Sequence, residues 1–219
     1  MNDEQAVYDL SPAGRVMVLL AVISATTIYS SSILISSALL PKLQGAMGAT
    51  QDEVSWTMTF NIVATAVVTP MTGWISERFG RRNVMVWCAA IFGLSTFFCG
   101  ASMSLEELIF WRIVQGGAGA PLIPLGQAVL LDAYPRRQHS FIMAIFGMAN
   151  MIGPSLGPTL AGEVSDALSW RWAFWMIVPV TILTVVLCRF AVPTRAKRES
   201  TRLDWSGFLT LTIAIICIQ

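Results

Sequence analysis

A single arginine inside an apolar stretch has the clearest chemical potential in this chain. Arg112 lies four residues past the start of the stretch 108–131, about 6 Å along it at the rise of an α-helix. A guanidinium in such a place is costly unless it meets water or polar partners, so we expect it to serve function, with Gln115 as its polar neighbour one turn further. Arginine keeps its proton, so that function is charge pairing and not proton release. The alternative is that its long side chain reaches back to the nearer end of the stretch.

The other residue types that perform catalysis or bind metals are scarce and scattered. The one histidine, His139, lies in the connection between two apolar stretches, where we expect a solvated side chain. Four cysteines lie inside apolar stretches, and their spacing is not typical of a metal site or a disulfide framework: Cys88, Cys99, Cys188 and Cys217. No nucleophile, base or ligand cluster is available. We therefore expect no enzymatic activity, no catalytic residues, no metal and no cofactor.

A short charged turn separates two of the apolar stretches. Residues 73–82 contain four charges and two glycines, and a connection this short leaves the flanking helices antiparallel and adjacent. The residues of this loop motif are Gly73, Glu77, Arg78, Gly80, Arg81 and Arg82. The simpler interpretation is a basic loop that only sets orientation in a membrane.

Composition places the whole chain in a membrane. Hydrophobic residues make up 55% of the chain and charged residues only 12%, which is too apolar for an ordinary soluble domain. A net charge of +1 gives no reason to expect a nucleic acid partner. A spanning helix needs about 20 apolar residues, and six stretches meet or approach this length: 16–40, 54–75, 84–103, 108–131, 141–162 and 172–192.

The remaining residues divide into three segments. Residues 1–15 form a polar N-terminus without the features of a cleaved signal peptide, and 193–204 form a polar loop. Residues 205–219 are the start of a seventh spanning helix that ends about five residues short of a crossing. Pro41 is expected to end the first helix. On this basis the chain is predicted to be a fragment or a truncated protein.

Basic residues predict the orientation. Ten lysines and arginines lie in the segments on one side of the six stretches and two on the other. Basic loops remain in the cytoplasm. We therefore expect a multi-pass protein of the plasma membrane, the inner membrane in a bacterium, with a cytoplasmic N-terminus and the lipid bilayer as its surroundings.

Two further patterns lie within the spanning stretches. The fifth stretch repeats small residues every four positions, which allows close backbone approach, and two prolines beside them are expected to bend the helix. Such small faces also occur wherever membrane helices dimerise. The repeat consists of Ala149, Gly153, Gly157 and Ala161, and the longer motif at 153–162 includes Gly153, Pro154, Gly157, Pro158 and Gly162. Polar residues in other stretches are candidates to line a cavity: Ser32, Asn61, Gln127 and Asn150.

These motifs together resemble the major facilitator superfamily. The loop motif, with Glu77 where aspartate is more usual, resembles the signature between its second and third helices. Arg112 with Gln115 and Gly116 resembles its fourth-helix signature, in which the arginine is associated with proton transfer. Residues 153–162 are similar to the antiporter motif of its exporters. The Trp-Arg-Trp-Ala-Phe segment at 170–174 and the short loop 193–204 resemble the 14-helix drug:proton antiporters of the EmrB/QacA type.

The resemblance implies a fold and a mechanism. The fold is an all-α membrane protein, the N-terminal six-helix bundle of a major facilitator plus the start of a seventh helix. The function is secondary active export of hydrophobic or cationic drug-like small molecules by alternating access, in exchange for protons, with the loop motif forming charge pairs that latch one state. In a Gram-negative bacterium a periplasmic adaptor protein is an implied partner. The alternatives are a non-transporting scaffold, a half-transporter that needs a partner, and an exporter of an endogenous metabolite.

One departure from the family pattern concerns the coupling ion. The first helix of these antiporters usually carries an acidic residue nine positions before its proline, and Ser32 stands there in this chain. No aspartate or glutamate lies deep in the six stretches. We expect the proton-carrying acid to be Asp132, Glu77 or a residue beyond this chain, unless coupling differs.

Overall fold

The computed structural model describes residues 10–194, together with Phe208, Thr210 and Thr212. The described residues form helices and turns and no strand, which confirms the predicted all-α class. Six of these helices are long and apolar enough to cross a membrane. The first to sixth helices are Pro12–Met47, Gln51–Phe79, Arg81–Ala101, Leu105–Ala133, Arg136–Ala167 and Trp170–Ala191.

Each helix begins two to five residues before the stretch that hydropathy predicts. Polar caps extend the helices beyond their apolar parts. Thr50 and Glu53 form a reciprocal capping box at the start of the second helix, and the Ser104 hydroxyl accepts a hydrogen bond from the Glu107 amide at 3.2 Å at the start of the fourth. Such caps satisfy backbone donors that a helix leaves free at its N-terminus.

Pro41 does not end the first helix, so that prediction is wrong. The helix continues to Met47 and ends at Gly48, whose φ of 61° suits the left-handed cap. A proline removes one backbone donor but leaves the following turn free to pack. Leu43, which follows it, is buried, and this packing keeps the last turn helical.

Three helices are divided by short irregularities, and the fifth continues as an α-helix through its two prolines. The second helix passes through a 3₁₀ turn at Thr69–Met71, and the fourth consists of Leu105–Gly119 and Leu122–Ala133. The sixth consists of Trp170–Trp175 and Ile177–Ala191. The fifth runs as one α-helix, His139–Ala167, through both prolines.

The first helix forms the centre of the bundle. It packs against the fourth, fifth and sixth helices, the second helix packs mainly against the fourth, and the third packs against the fourth and sixth. The core residues of the first helix are fully buried, Val18, Val22 and Leu39 among them. The second helix is the least enclosed of the six. Of the predicted segments, 1–9, 195–204 and most of 205–219 lie outside the described residues.

Polar contacts tie the helix ends together at the face opposite the charged loop. Arg171 donates hydrogen bonds to the carbonyl oxygens of Gly100 and Ser102 at 2.9 and 2.6 Å, where the third helix ends. Cations are favourable at the C-terminus of a helix. Lys42 of the first helix pairs with Asp166 of the fifth and donates to Ser165 at 2.6 Å. These contacts join the sixth helix to the third and the first helix to the fifth.

Candidate functional site

Arg112 lies inside the bundle and not at its surface. Its relative exposure is 1%. The guanidinium donates to the Thr57 carbonyl oxygen and to the Ser32 hydroxyl, both at 3.4 Å, and to the side-chain carbonyl of Gln115. Ser32, Thr57 and Gln115 belong to the first, second and fourth helices, so one side chain connects three helices. The side chain of Arg112 therefore points into the bundle and does not reach back to the nearer end of its helix, as the alternative predicted.

Gln115 extends the cluster to the third helix. Its amide donates to the Thr96 hydroxyl at 2.6 Å, and Thr96 donates to the carbonyl oxygen of Phe92 at 2.6 Å. Gln115 is fully buried. A buried amide without partners would be strongly destabilising, so these bonds hold the Arg112 and Gln115 pair in one orientation.

A second set of bonds joins the second and fourth helices beside the arginine. Asn61 donates to the backbone carbonyl of Arg112 at 2.8 Å. Thr65 donates to the Gly116 carbonyl at 3.1 Å and accepts from the Tyr29 hydroxyl at 3.0 Å. A Cβ at Gly116 would overlap the Asn61 carbonyl oxygen. The glycine therefore permits the backbone approach that these hydrogen bonds require.

Four members of this cluster are not among the residues predicted from the sequence: Tyr29, Thr57, Thr65 and Thr96. A signal for two of them exists in the sequence. Thr57 and Thr65 lie four residues on either side of Asn61, which places all three on one face of a helix. A polar face on a membrane helix is typical of helix contacts and cavities. Tyr29 and Thr96 have no comparable signal, because their partners lie on other helices.

The electrostatics of the cluster are unusual. Among the described residues, the acceptors that Arg112 meets are neutral, and its second terminal nitrogen, Nη2, is buried without a hydrogen bond partner. A buried unpaired cation is costly, and arginine does not release its proton. The cluster therefore holds a fixed positive charge between helices. It is equipped to attract a negative charge and not to carry a proton.

The loop motif meets the end of the fourth helix. Gly80 has a φ of 86°, a conformation that suits glycine and makes the turn tight. Arg81 forms an ion pair with Asp132 and also donates to the Ala128 carbonyl at 3.4 Å. Arg82 donates to the Thr194 hydroxyl at 2.8 Å. The motif therefore connects the third helix to the fourth and to the segment after the sixth.

The other members of the loop motif are more open. Glu77 is exposed and forms no ion pair with any residue in the described part of the chain. The Arg78 guanidinium lies 5.3 Å from the Trp74 ring centre, within range of a cation–π interaction. A side chain at Gly73 would meet no other atom within 4 Å. The carboxylate in contact with this motif is Asp132.

Tyr134 joins the first helix to the end of the fourth at the same face. Its hydroxyl donates to the Arg15 carbonyl oxygen at 2.9 Å. Burial raises the pKa of the Tyr134 hydroxyl, and the positive charge of Arg15 opposes the rise. The His139 ring lies at the start of the fifth helix, with Nε2 2.9 Å from the Tyr134 carbonyl oxygen, and is half-buried and not fully solvated.

The small face of the fifth helix packs against the first helix. A Cβ at Gly153 would overlap the Ser31 hydroxyl and lie 2.8 Å from the Thr27 carbonyl oxygen, and one at Gly157 would lie 3.3 Å from Ile35. Gly162 has open space around it. The two prolines of the motif at 153–162, Pro154 and Pro158, are half-buried.

The candidate cavity residues fall into two groups. Ser32 and Asn61 are buried, with 2% exposure each, and contact Arg112. Gln127 is exposed on the fourth helix and Asn150 is half-buried on the fifth. The Asn150 side-chain carbonyl accepts from Ser30 at 2.6 Å. The structure thus brings Ser32 and Asn61 together with the arginine and leaves Gln127 and Asn150 apart from it.

Fold and motifs define an integral membrane protein of the transporter class, and the family follows from comparison with known proteins. The model of the Major Facilitator Superfamily matches residues 19–217. The chain belongs to this superfamily. Solved structures with the same fold include the human organic anion transporter MFSD10, with a TM-score of 0.72 and 20% identity over 92% of this chain and 54% of that one. The Escherichia coli xylose transporter XylE in a partially occluded inward-open conformation has a TM-score of 0.73 and 15% identity over 93% of this chain and 53% of that one.

More similar sequences are multidrug exporters. The multidrug export protein EmrB of Escherichia coli K12 is 33% identical over 211 residues, which are 96% of this chain and 41% of that protein. The probable multidrug resistance protein EmrY of the same strain is 35% identical over 84% of this chain and 36% of that protein. The chain thus spans about two fifths of the length of the relatives it matches.

Proposed function

We propose that the chain is the first six-helix bundle of an exporter that moves hydrophobic or cationic drug-like compounds out of the cell by alternating access. The names of its relatives, multidrug export protein and multidrug resistance protein, support this substrate class. We place the bundle in the plasma membrane, the inner membrane in a bacterium, with the charged loop in the cytoplasm. In a Gram-negative cell we further propose a periplasmic adaptor protein as partner.

The observation that carries the proposal is the buried Arg112 cluster. A charge that the bundle encloses among neutral partners lowers stability, and intramembrane ionisable groups mark transport pathways by default. The cluster connects the first, second, third and fourth helices through Ser32, Thr57, Thr96 and Arg112. A small movement of any one of these helices would change the surroundings of the charge. We propose that Arg112, oriented by Gln115, senses or drives this movement.

Proton exchange is the proposed energy source, and Asp132 is the proposed acidic group within this chain. It is paired with Arg81, and both side chains are mostly enclosed, at 16% and 27% exposure. Breaking this pair would release the third helix from the fourth, which suits the latch that the loop motif implies. Glu77 is the alternative acid in the same motif.

A half-transporter that needs a second bundle is the alternative that one observation favours. The second helix turns large apolar side chains outward, with Trp56, Phe60 and Ile62 at 52%, 41% and 40% exposure. Such a face suits either lipid or a second bundle. A scaffold without transport and an exporter of an endogenous metabolite complete the alternatives.

Transport measurements in inverted membrane vesicles test the proposal. Accumulation of a lipophilic fluorescent cation is measured in vesicles from cells that express the chain alone, the chain together with a second bundle, or neither, under an imposed proton gradient. Accumulation that requires the chain and dissipates the gradient supports a proton-coupled exporter. Accumulation only with the second bundle identifies a half-transporter. If no vesicles accumulate the dye, the non-transporting scaffold is the remaining interpretation. Accumulation without loss of the proton gradient would overturn proton exchange.

A further inference from the structure

A groove of about 400 Å³ lies between the second and third helices, next to the loop motif. Its lining is apolar except for one amide. The lining residues are Ile75, Phe79, Asn83, Val84, Trp87 and Cys88. The groove is separate from the Arg112 cluster, and none of the contacts described above uses it.

The two aromatic residues of the groove face outward. Phe79 is 51% exposed and Trp87 is 68% exposed. Trp87 lies one turn along the third helix from Asn83, so it stands about 6 Å deeper in the membrane than Asn83. Tryptophan favours the boundary between headgroups and acyl chains. The open side of the groove therefore faces lipid at the level where an acyl chain meets its headgroup.

Positive charge that no carboxylate pairs with, in the part of the chain that the structure describes, lies at the rim. The Arg78 guanidinium is 5.9 Å from the centre of the Phe79 ring, and Arg78 is exposed and forms no hydrogen bond or ion pair with the described part of the chain. The neighbouring arginines are engaged, Arg81 with Asp132 and Arg82 with Thr194. Arg78 is thus the arginine of the motif that is left for an external anion. Glu77 precedes it by one position, about 100° around the helix, and faces another direction.

The start of the third helix adds a second attraction for an anion. The helix is 21 residues long, and its cap, Gly80, has no side chain to satisfy the first backbone amides. Asn83, in this first turn, lines the groove. Free amides and the positive end of the helix dipole bind phosphate groups readily. Arg78, the helix start and the apolar groove thus combine one anionic head site with one acyl chain site.

We propose that this groove binds an anionic phospholipid, with one acyl chain along Ile75, Val84 and Trp87 and the phosphate at Arg78 and the start of the third helix. Anionic lipids are abundant in the cytoplasmic leaflet, and basic pockets between membrane helices bind their headgroups. The bound lipid would contact the loop motif that joins the third helix to the fourth. Membrane composition would therefore influence this loop.

Quenching of Trp87 fluorescence by brominated lipids tests the proposal. The full chain is reconstituted in nanodiscs that contain brominated phosphatidylglycerol or brominated phosphatidylcholine, and the signal of Trp87 is the difference between wild type and W87F. We expect phosphatidylglycerol to be preferred at this site, and R78Q to lower the preference about fivefold, the effect of one basic residue near an anionic surface. The matched control R137Q removes an exposed arginine of another loop and is expected to leave the preference unchanged.

Two further measurements distinguish lipid binding in the groove from non-specific electrostatic attraction of anionic lipid to the protein. C88F fills the groove without changing the charge, and we expect it to reduce Trp87 quenching by phosphatidylglycerol. Glycerol phosphate, the headgroup without chains, is expected not to compete at concentrations where the lipid is bound. Equal losses in R78Q and R137Q, equal quenching by both lipids, or no effect of C88F would each overturn the proposal. None of these measurements depends on transport, so the result stands apart from the proposed export function.

Discussion

At the level of single residues, Arg112 is the most informative position. Its partners are a backbone carbonyl, a hydroxyl and an amide oxygen, and one of its nitrogens has no partner. Replacement of buried charges by apolar residues of similar size is often neutral or stabilising. Whether Arg112 contributes to stability or to function is therefore a measurable distinction.

We expect R112M to abolish export without lowering the thermal midpoint of the bundle. Methionine fills a similar volume and removes the unpaired charge. R112A is expected to abolish export as well, while membrane insertion is preserved. Dye efflux and thermal unfolding in detergent measure the two properties. A large loss of stability in R112M would show that the arginine is structural, and normal efflux in R112A would remove its role in transport.

Replacement of Ser32 by glutamate would give Arg112 a negatively charged partner. Its hydroxyl lies 3.4 Å from an Arg112 terminal nitrogen, so a glutamate there would reach the guanidinium, whereas glutamine has the same shape without the charge. We expect S32E to be more stable than S32Q by roughly 1–3 kcal/mol, because a buried charge gains from an opposite partner. In the R112Q background this difference should vanish, as in a double-mutant cycle. Persistence of the difference without Arg112 would mean that the two side chains do not interact.

At the level of helices, close backbone contacts distinguish members of one sequence pattern. Gly153 and Gly157 face the first helix at short distance, and Gly162 faces open space. The repeat of small residues continues from Gly157 to Ala161, which is fully buried. Gly162 lies five positions after Gly157, about 140° around the helix. It therefore lies off the packed face.

We expect G153A to destabilise the bundle by about 1–3 kcal/mol, because its Cβ would lie 2.8 Å from the Thr27 backbone and overpacking has this cost. G157V should be destabilised similarly and should slow transport. The matched control is G162A, where a Cβ meets nothing and alanine favours the helix by up to about 1 kcal/mol. Thermal unfolding of the three variants makes the comparison. If G153A and G162A were equally stable, the close contact between the first and fifth helices would be excluded.

The pair of Arg81 and Asp132 joins the start of the third helix to the end of the fourth. We expect R81Q and D132N each to lower stability and to be non-additive, with a coupling of about 1 kcal/mol for a partly enclosed pair. D132N should also lower export if this carboxylate carries the proton. A double variant whose losses add fully would argue against an ion pair in the membrane.

At the level of the whole molecule, the six helices separate two chemically distinct faces. The face with the loop motif carries the arginines, and the opposite face carries Lys42, Arg171 and the acidic caps. Basic residues on one side imply that this side is cytoplasmic. The orientation also decides the leaflet in which the lipid groove between the second and third helices lies.

Cysteine labelling of intact cells tests the orientation. S140C places a thiol on the arginine face at an exposed position, and M103C places one on the opposite face at a position with 83% exposure. A membrane-impermeant thiol reagent added outside should label M103C above the wild-type background and leave S140C unlabelled until the membrane is permeabilised. The described native cysteines are half-buried or buried, which keeps the background low. Labelling of S140C from outside would invert the topology and the direction of export.

Part of this protein is determined by its sequence alone. Apolar length determines the membrane class and the six spans, since each span must satisfy its backbone within one helix. The distribution of arginines predicts orientation, and the motifs at 73–82, 112–116 and 153–162 identify the superfamily. These properties depend on order and composition along one segment at a time.

Only the tertiary structure decided what each polar group meets. The spacing within a helix places Thr57, Asn61 and Thr65 on one face, but the neighbour of that face depends on how helices far apart in sequence cross. For this reason the partners of Arg112 on other helices, the choice of Asp132 by Arg81 and the open groove beside Arg78 could not be predicted. Each helix also begins before its apolar stretch, and the first helix ends after it, because caps and buried residues such as Leu43 extend a helix past its apolar part.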